Sequence, residues 1–288
     1  MTRPAPSHEP WQLDGRNLVA PATLFVVLGL LAPMALLLRY SVNLFVPGQF
    51  MVEGLTLDNY LRFFTDPFYL NVLGRTVRVA VVCTLVCLVV AFPLAYVLAR
   101  TQSRFKNLLV IAIVLPLFVG NSVRAAGWMV AFGNKGALNS LLLGAGLINA
   151  PLEIMYTELA VVVGIIAVNL PFMVLSLQGV IEGIGRHLEE AAFNLGAPPA
   201  AMFRHVLWPL AVPGISAGVI LTFILAMNAY ATPVLLGGPR FQMMGPLVFD
   251  QFIQQNNWPF GGAIAFILMT VTLLLSAVAN LLVQRRRA

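Results

Sequence analysis

Apolar residues gather in six blocks, near 18–38, 76–98, 108–132, 159–177, 212–230 and 261–283, and the polar and charged residues collect between them. Each block is long enough to cross a hydrocarbon core of about 30 Å as a helix. The pattern predicts an all-α membrane protein of six transmembrane helices. No polar connection exceeds about thirty residues, which leaves room for one membrane domain over 18–283, tails at 1–17 and 284–288, and a cytoplasmic loop at about 182–211.

Composition points the same way. The chain is 59% hydrophobic and 10% charged, with a mean hydropathy of +0.88. Those values together exclude the soluble globular classes. Orientation follows from Lys and Arg, which favour the cytoplasmic side. With both termini cytoplasmic, the inside holds Arg3, Arg16, Arg100, Arg104, Lys106, Arg186, Arg204, Arg285, Arg286 and Arg287. The outside holds Arg39, Arg62, Lys135 and Arg240, with Arg75 and Arg78 at the outer mouth of the second block and Arg124 inside the third. The net charge of +6 is then mostly topogenic. Basic residues spread over short loops form no nucleic-acid face, so no nucleic-acid partner is expected. The first block lacks a small-residue cleavage pattern and is expected to stay as an anchor rather than a removed signal peptide. Cys83 and Cys87, four apart in the second block, have no other metal-ligand type nearby and suit the role of small apolar residues.

Several local features predict packing. In the connection 41–71, Asp58 is placed to cap a short surface helix, the alternative being an ordinary interfacial loop. The connection 133–158 is expected to fold as a short helical hairpin over the outer face. Trp11, Trp128, Trp208 and Trp258 fall near block ends, as an aromatic belt would. Gly214 and Gly218 share one helix face and invite close approach of another helix.

Catalytic chemistry is missing. No Gly-rich loop ends in Lys-Ser or Lys-Thr, and Lys106 and Lys135 are the only lysines, so the chain has no P-loop of its own. His8, His187 and His205 share no metal-ligand spacing. No block carries Asp or Glu at its middle, which argues against an ion-coupled carrier or channel acting alone. A membrane enzyme would need polar catalytic groups clustered at one interface, and none is evident. No catalytic residue, metal site or bound cofactor is therefore expected in this chain.

The most informative stretch is Glu190-Ala191-Ala192-Phe193-Asn194-Leu195-Gly196, with Pro209 thirteen residues beyond Gly196. The alanines favour helix and close approach. Gly196 is placed for a left-handed cap, and Pro198 and Pro199 forbid continuation. A second helical turn set, about 199–208, carries Met202, Phe203, Val206 and Leu207 at helical spacing, too apolar for a free loop. It reads as a docking handle that something soluble should cover.

Glu190-Ala191-Ala192, Gly196 and Pro209 resemble the cytoplasmic "EAA" signature of permease subunits in binding-protein-dependent ABC importers. Val206 and Trp208 depart from the usual Ile and Leu but keep apolar bulk. The likeness extends over nearly the whole chain and looks closest to spermidine/putrescine permeases, through Asn59-Tyr60, Arg124 with Trp128, Asn139-Ser140-Leu141, Leu170-Pro171-Phe172, Thr232-Pro233 with Leu235-Leu236-Gly237-Gly238, and Trp258-Pro259-Phe260-Gly261. The resemblance implies a type I ABC importer permease fold in the bacterial inner membrane. It further implies a pair of ATPase subunits that bind ATP and Mg, a second permease in a heterodimer, and an extracytoplasmic substrate-binding protein. Glu190 would pair with a basic group on the ATPase or hold the loop in shape, leaving Glu189 as the solvated charge. Similar polyamine permeases carry an acid in the fifth span, about where this chain reads Met227-Asn228-Ala229-Tyr230, with no carboxylate. An amino acid derivative, an opine or a phosphonate thus stays open beside a polyamine. Arg124, Asn121, Asn169, Asn228 and Tyr230 are the candidate pathway residues. Snorkelling or structural pairing would explain Arg124 equally well, and interhelical hydrogen bonding the others.

Overall fold

A computed structural model describes residues 15–285. Arg3, His8, Trp11, Arg286 and Arg287, with most of the expected tails, lie outside the described residues. In order, the elements are α1 (Gly15–Ser41), β1 (Leu44–Val46), β2 (Gln49–Val52), α2 (Asp58–Thr65), α3 (Pro67–Arg100), α4 (Lys106–Val114), α5 (Asn121–Phe132), α6 (Ala137–Gly144), α7 (Glu158–Gly183), α8 (Arg186–Asn194), α9 (Pro199–Met202), α10 (Trp208–Met227), α11 (Met244–Phe249) and α12 (Trp258–Arg285). A 3-10 turn, Leu115–Phe118, follows α4, and π-helical turns occupy Phe203–Leu207, Pro233–Gly237 and Asp250–Gln254.

Five continuous helical stretches, containing α1, α3, α7, α10 and α12, are long and apolar enough to cross a membrane, and one bent pair passes the same test when its two halves are taken together. That pair is the expected third block. It is not one helix: α4 and α5 meet at 100°. Pro116 tightens the end of α4, and Val119 and Gly120 then take extended conformations (ψ 126° and 145°), which stops helical propagation. The second crossing starts nine residues before Thr76, at Pro67, because the Asp66 side chain accepts the Phe68 N–H at 2.9 Å and Pro67 suits the first helical position. The fifth is longer too. α9, the π turn and α10 run on as one helical stretch, Pro199–Met227, so the expected separate turn set at 199–208 is the first part of that stretch.

The core is built where α3, α7 and α10 pack together. As expected, Gly214 and Gly218 form a close-approach face, and its partner is α7. A Cβ on Gly214 would lie 2.8 Å from the Val180 Cβ, and one on Gly218 would lie 2.6 Å from the Met173 sulfur. Cys83 and Cys87 are free, buried thiols facing the Val162 and Ile166 carbonyls at 3.6 and 3.8 Å. α1 leans mainly on α12, and Phe25 is 81% exposed in the single chain.

One end of the bundle differs from expectation in three ways. A β-hairpin, β1 with β2, turns at Pro47 and Gly48, where φ of +87° favours glycine. The helix α2 exists, but Asp58 is its first residue and its side chain makes no capping bond. Anchorage comes instead from Asn59, which donates to the Ser41 and Asn43 carbonyls at 2.9 and 3.0 Å, and from Tyr60, 2.7 Å from the Ser41 hydroxyl. The 133–158 connection supplies a single helix, α6, rather than a hairpin, closed by buried Asn139 bridging to Gly133 and Leu152. Trp208 and Trp258 open α10 and α12, whereas Trp128 is half-buried, 5.0 Å from the Phe132 ring.

The replacement Gly214→Val drives a branched side chain into Val180 and should destabilise the helix bundle by about 1–3 kcal/mol. The expected result is a lower melting temperature for the detergent-solubilised chain, with membrane insertion retained.

Candidate functional site

The segment joining α7 to α10 is held by its sequence at both ends. α8 closes in a Schellman motif: Ala197 N–H bonds to the Ala192 carbonyl at 3.0 Å and Gly196 N–H to the Phe193 carbonyl at 2.9 Å, with Gly196 at φ +82°. Pro198 is extended and Pro199 opens α9. Chain direction therefore reverses between α8 and the rod that continues into α10.

The charged pair in α8 divides opposite to expectation. Glu189, not Glu190, is buried. Arg100 at the end of α3 donates through Nε to Glu189 Oε1 at 2.8 Å and ion-pairs through Nη2, while the Tyr96 hydroxyl donates to Oε2 at 2.9 Å. Arg100 Nη1 also reaches the Ile184 carbonyl at 3.0 Å, and Arg186 donates to the Arg100 carbonyl. Glu190 is exposed and free to meet another molecule. Helical periodicity separates the two: adjacent residues point about 100° apart, so one faces α3 and the other faces outward.

The apolar residues divide in the same way. Met202 and Leu207 are buried against α3, α7 and α10, and Phe203 packs on Phe92 and Trp208 at 5.1 and 5.8 Å. Met202 and Leu207 are thus covered from within the chain, which corrects the expectation that they await a soluble partner, whereas Phe203 stays exposed and Val206 half-buried. The most exposed apolar side chain here is on the cap of α8, where Leu195 is 89% exposed, with Phe193 on α8 45% exposed. Ala191 is exposed, Ala192 is half-buried against the core, and Pro209 is exposed in the first turn of α10.

A second constellation sits beside the break in the third crossing. Asn121, Arg124, Asn169, Asn228 and Tyr230, from four different segments, together with Thr232, line one cavity of about 450 Å³. The bend sets the first turn of α5 against it, which brings Asn121 and Arg124 to its wall. Arg124 Nη2 donates to Asn121 Oδ1, and Nε and Nη1 are buried without an acceptor among the described residues. Asn169, on α7, donates to the Thr222 carbonyl at 3.3 Å. α10 ends at Met227, so Asn228, donating to the Ile224 carbonyl at 2.9 Å, is at its cap, and Tyr230 lies beyond the helix. Irregular backbone in a membrane protein is tolerated where it lines such a cavity.

Sequence reasoning passed over Tyr96, Arg100 and the role of Glu189. Arg100 and Glu189 are 89 positions apart, and no periodicity links them. It also passed over Asp250, which was visible as the only Asp or Glu after Glu190.

Comparison with known proteins agrees with this geometry. Residues 87–288 match the family described as binding-protein-dependent transport system inner membrane component. The spermidine/putrescine transport system permease protein of Haemophilus influenzae is 32% identical over 265 residues, covering 91% of this chain and 92% of that protein. Its counterpart in Escherichia coli is 34% identical over 224 residues, 78% of this chain and 81% of that protein. Among solved structures, a bacterial ABC transporter involved in the import of the acidic polysaccharide alginate superposes with a TM-score of 0.77 at 16% identity, over 93% of this chain and 94% of that one. The methionine ABC transporter MetNI in an inward-facing form gives 0.57 at 18% identity, over 75% and 94%. The fold is that of ABC importer permeases, and the chain belongs to the binding-protein-dependent transport system inner membrane components, as a multi-pass transport subunit of the bacterial inner membrane rather than an enzyme.

Proposed function

We propose that this chain forms half of the translocation path of an ATP-driven importer for a polyamine such as spermidine or putrescine. The observation that carries the mechanism is the divided face of α8, with Glu189 locked to Arg100 inside and Glu190, Phe193 and Leu195 presented outside. An apolar helix face with a central carboxylate fits a groove on a soluble partner. That partner is a pair of ATPase subunits, which bind the ATP and Mg. Glu190, Ala191, Ala192, Gly196 and Pro209 are the coupling residues. Docking at α8 places the ATPase side, and both termini, in the cytoplasm. A second, different permease completes the path, and an extracytoplasmic binding protein delivers the cargo at the opposite end.

The substrate class rests on the spermidine/putrescine permeases matched over most of the chain. Asn121, Asn169, Asn228 and Tyr230 offer the path amide and hydroxyl acceptors for ammonium N–H groups. Arg124 opposes a polycation within the same cavity, so the strongest cation contact is expected elsewhere along the path.

Proteoliposomes holding the chain with its ATPase, second permease and binding protein are expected to accumulate labelled spermidine only with ATP, while vesicles holding the chain alone take up none. Uptake without nucleotide by the lone chain would instead mark an ion-coupled carrier. Gly196→Val forces a β-branched residue into a left-handed conformation at a cost of about 1 kcal/mol or more. It should retain assembly while abolishing ATP-driven uptake, and normal uptake would count against the docking role. Glu189→Ala leaves the Arg100 guanidinium buried without its partner, a loss of about 3–5 kcal/mol. A clear fall in melting temperature is expected, with Glu190→Ala, by contrast, reducing uptake and leaving the melting temperature unchanged.

A further inference from the structure

A neighbouring cavity of about 480 Å³ shares Tyr230 with the Arg124 cavity and has the opposite chemistry. Resting on the polyamine reading, we propose that Asp250 and the Gln242 side-chain carbonyl, surrounded by the rings of Tyr156, Tyr230 and Phe249, form the subsite that takes one ammonium end of the cargo.

Four observations carry this assignment. First, Asp250 lines the cavity half-buried, its carboxylate without a hydrogen-bond or ion-pair partner among the described residues, whereas Glu158, Glu182 and Glu189 are each taken by Arg78, Lys106 and Arg100. Second, Gln242 Oε1 is buried beside the same space and receives no donor. A carboxylate and an amide oxygen are both acceptors, and an ammonium brings the donors they lack. Third, the walls are aromatic. The Tyr230 and Phe249 rings lie 4.8 Å apart, and Tyr156 presents a 62% exposed ring from a backbone held at φ +64°. A non-glycine residue persists in that conformation only where its surroundings fix it. Here Tyr156 N–H bonds to the Leu236 carbonyl at 2.9 Å, and its ring sits over Gly238, where a Cβ would come within 2.6 Å. Fourth, no Lys, Arg or His lines this cavity. Arg75 on α3 is engaged behind it, over the Phe241 ring at 5.1 Å and on the Arg240 and Gln242 carbonyls at 3.5 Å. Aromatic faces around a carboxylate favour a cation by charge and quadrupole together, while an anion would meet only acceptors. Tyr230 thus divides a cation-accepting chamber from one lined by a guanidinium. A linear amine seated at Asp250 would extend away from Arg124.

The test uses the complete importer in proteoliposomes with saturating spermidine-loaded binding protein. Asp250→Asn is expected to lower spermidine uptake per ATP hydrolysed about tenfold, Asp250→Glu to restore at least half of it, and Phe249→Leu to lower it about threefold. Unchanged uptake per ATP in Asp250→Asn overturns the subsite. Should that variant fail to assemble with the second permease, Phe249→Leu decides, and wild-type behaviour there overturns it equally. A wild-type importer that moves no polyamine defeats the functional reading itself and takes this ligand assignment with it, so the wild-type arm separates the two failures.

Discussion

One buried ion pair sets the geometry of the α8 end of the bundle. Charges removed from water are unstable unless every lone pair and N–H is answered, and Glu189 has both carboxylate oxygens occupied, by Arg100 and by Tyr96. Arg100 is answered in turn by Glu189 and the Ile184 carbonyl. The pair therefore fixes the distance and rotation of α8 relative to α3 and to the end of α7. Once rotation is fixed, the residue one step along the helix must face outward, and that residue is Glu190. The left-handed cap at Gly196 does the same for direction. The docking role proposed for α8 requires this combination of an immobile back and a bare front.

The Arg124 cavity depends on a different constraint. A straight third helix would bury Asn121 and Arg124 in an apolar wall or expose them to lipid, both costly. The break after Pro116 turns them onto a cavity shared with α7 and the segment beyond α10. Small residues make the rest possible: Gly164 lies where a Cβ would meet Leu236 and Thr232 at 2.6 Å, so the segment 231–237 can press against α7 and carry Tyr230 into place. Polar chemistry in this cavity is concentrated where helices are interrupted, and the continuous helices carry most of the packing.

Much of this was legible in the sequence, for a physical reason. Membrane crossings are written as long apolar runs, and five of the six blocks are unbroken helical stretches within a few residues at one end or the other. The EAA segment was legible because its turn needs Gly196 and two prolines. What escaped depends on rotation and long-range pairing. Nothing in a linear reading distinguishes Glu189 from Glu190, since the answer depends on Arg100, contributed by another crossing. Met202 and Leu207 looked exposed because the helix they occupy was read as ending at Trp208 instead of running into α10. Pro47-Gly48 and Pro116 with Gly120 were signals of the hairpin and the bend, outweighed by the apolar residues around them.

The uninterrupted stretch Pro199–Met227 has a mechanical corollary. Twenty-nine residues rising about 1.5 Å each make a rod about 44 Å long. Its lower end is tethered to α8 across the tight Gly196 reversal, and its upper end stops at Asn228, two residues before Tyr230. Pivoted near its middle, a tilt of about 10° would swing each end by about 4 Å in opposite senses, from the rod length. A push delivered below would thus arrive above as a lateral sweep of the tyrosine partition, on the scale of an ammonium group's own width, with no need for a separate relay.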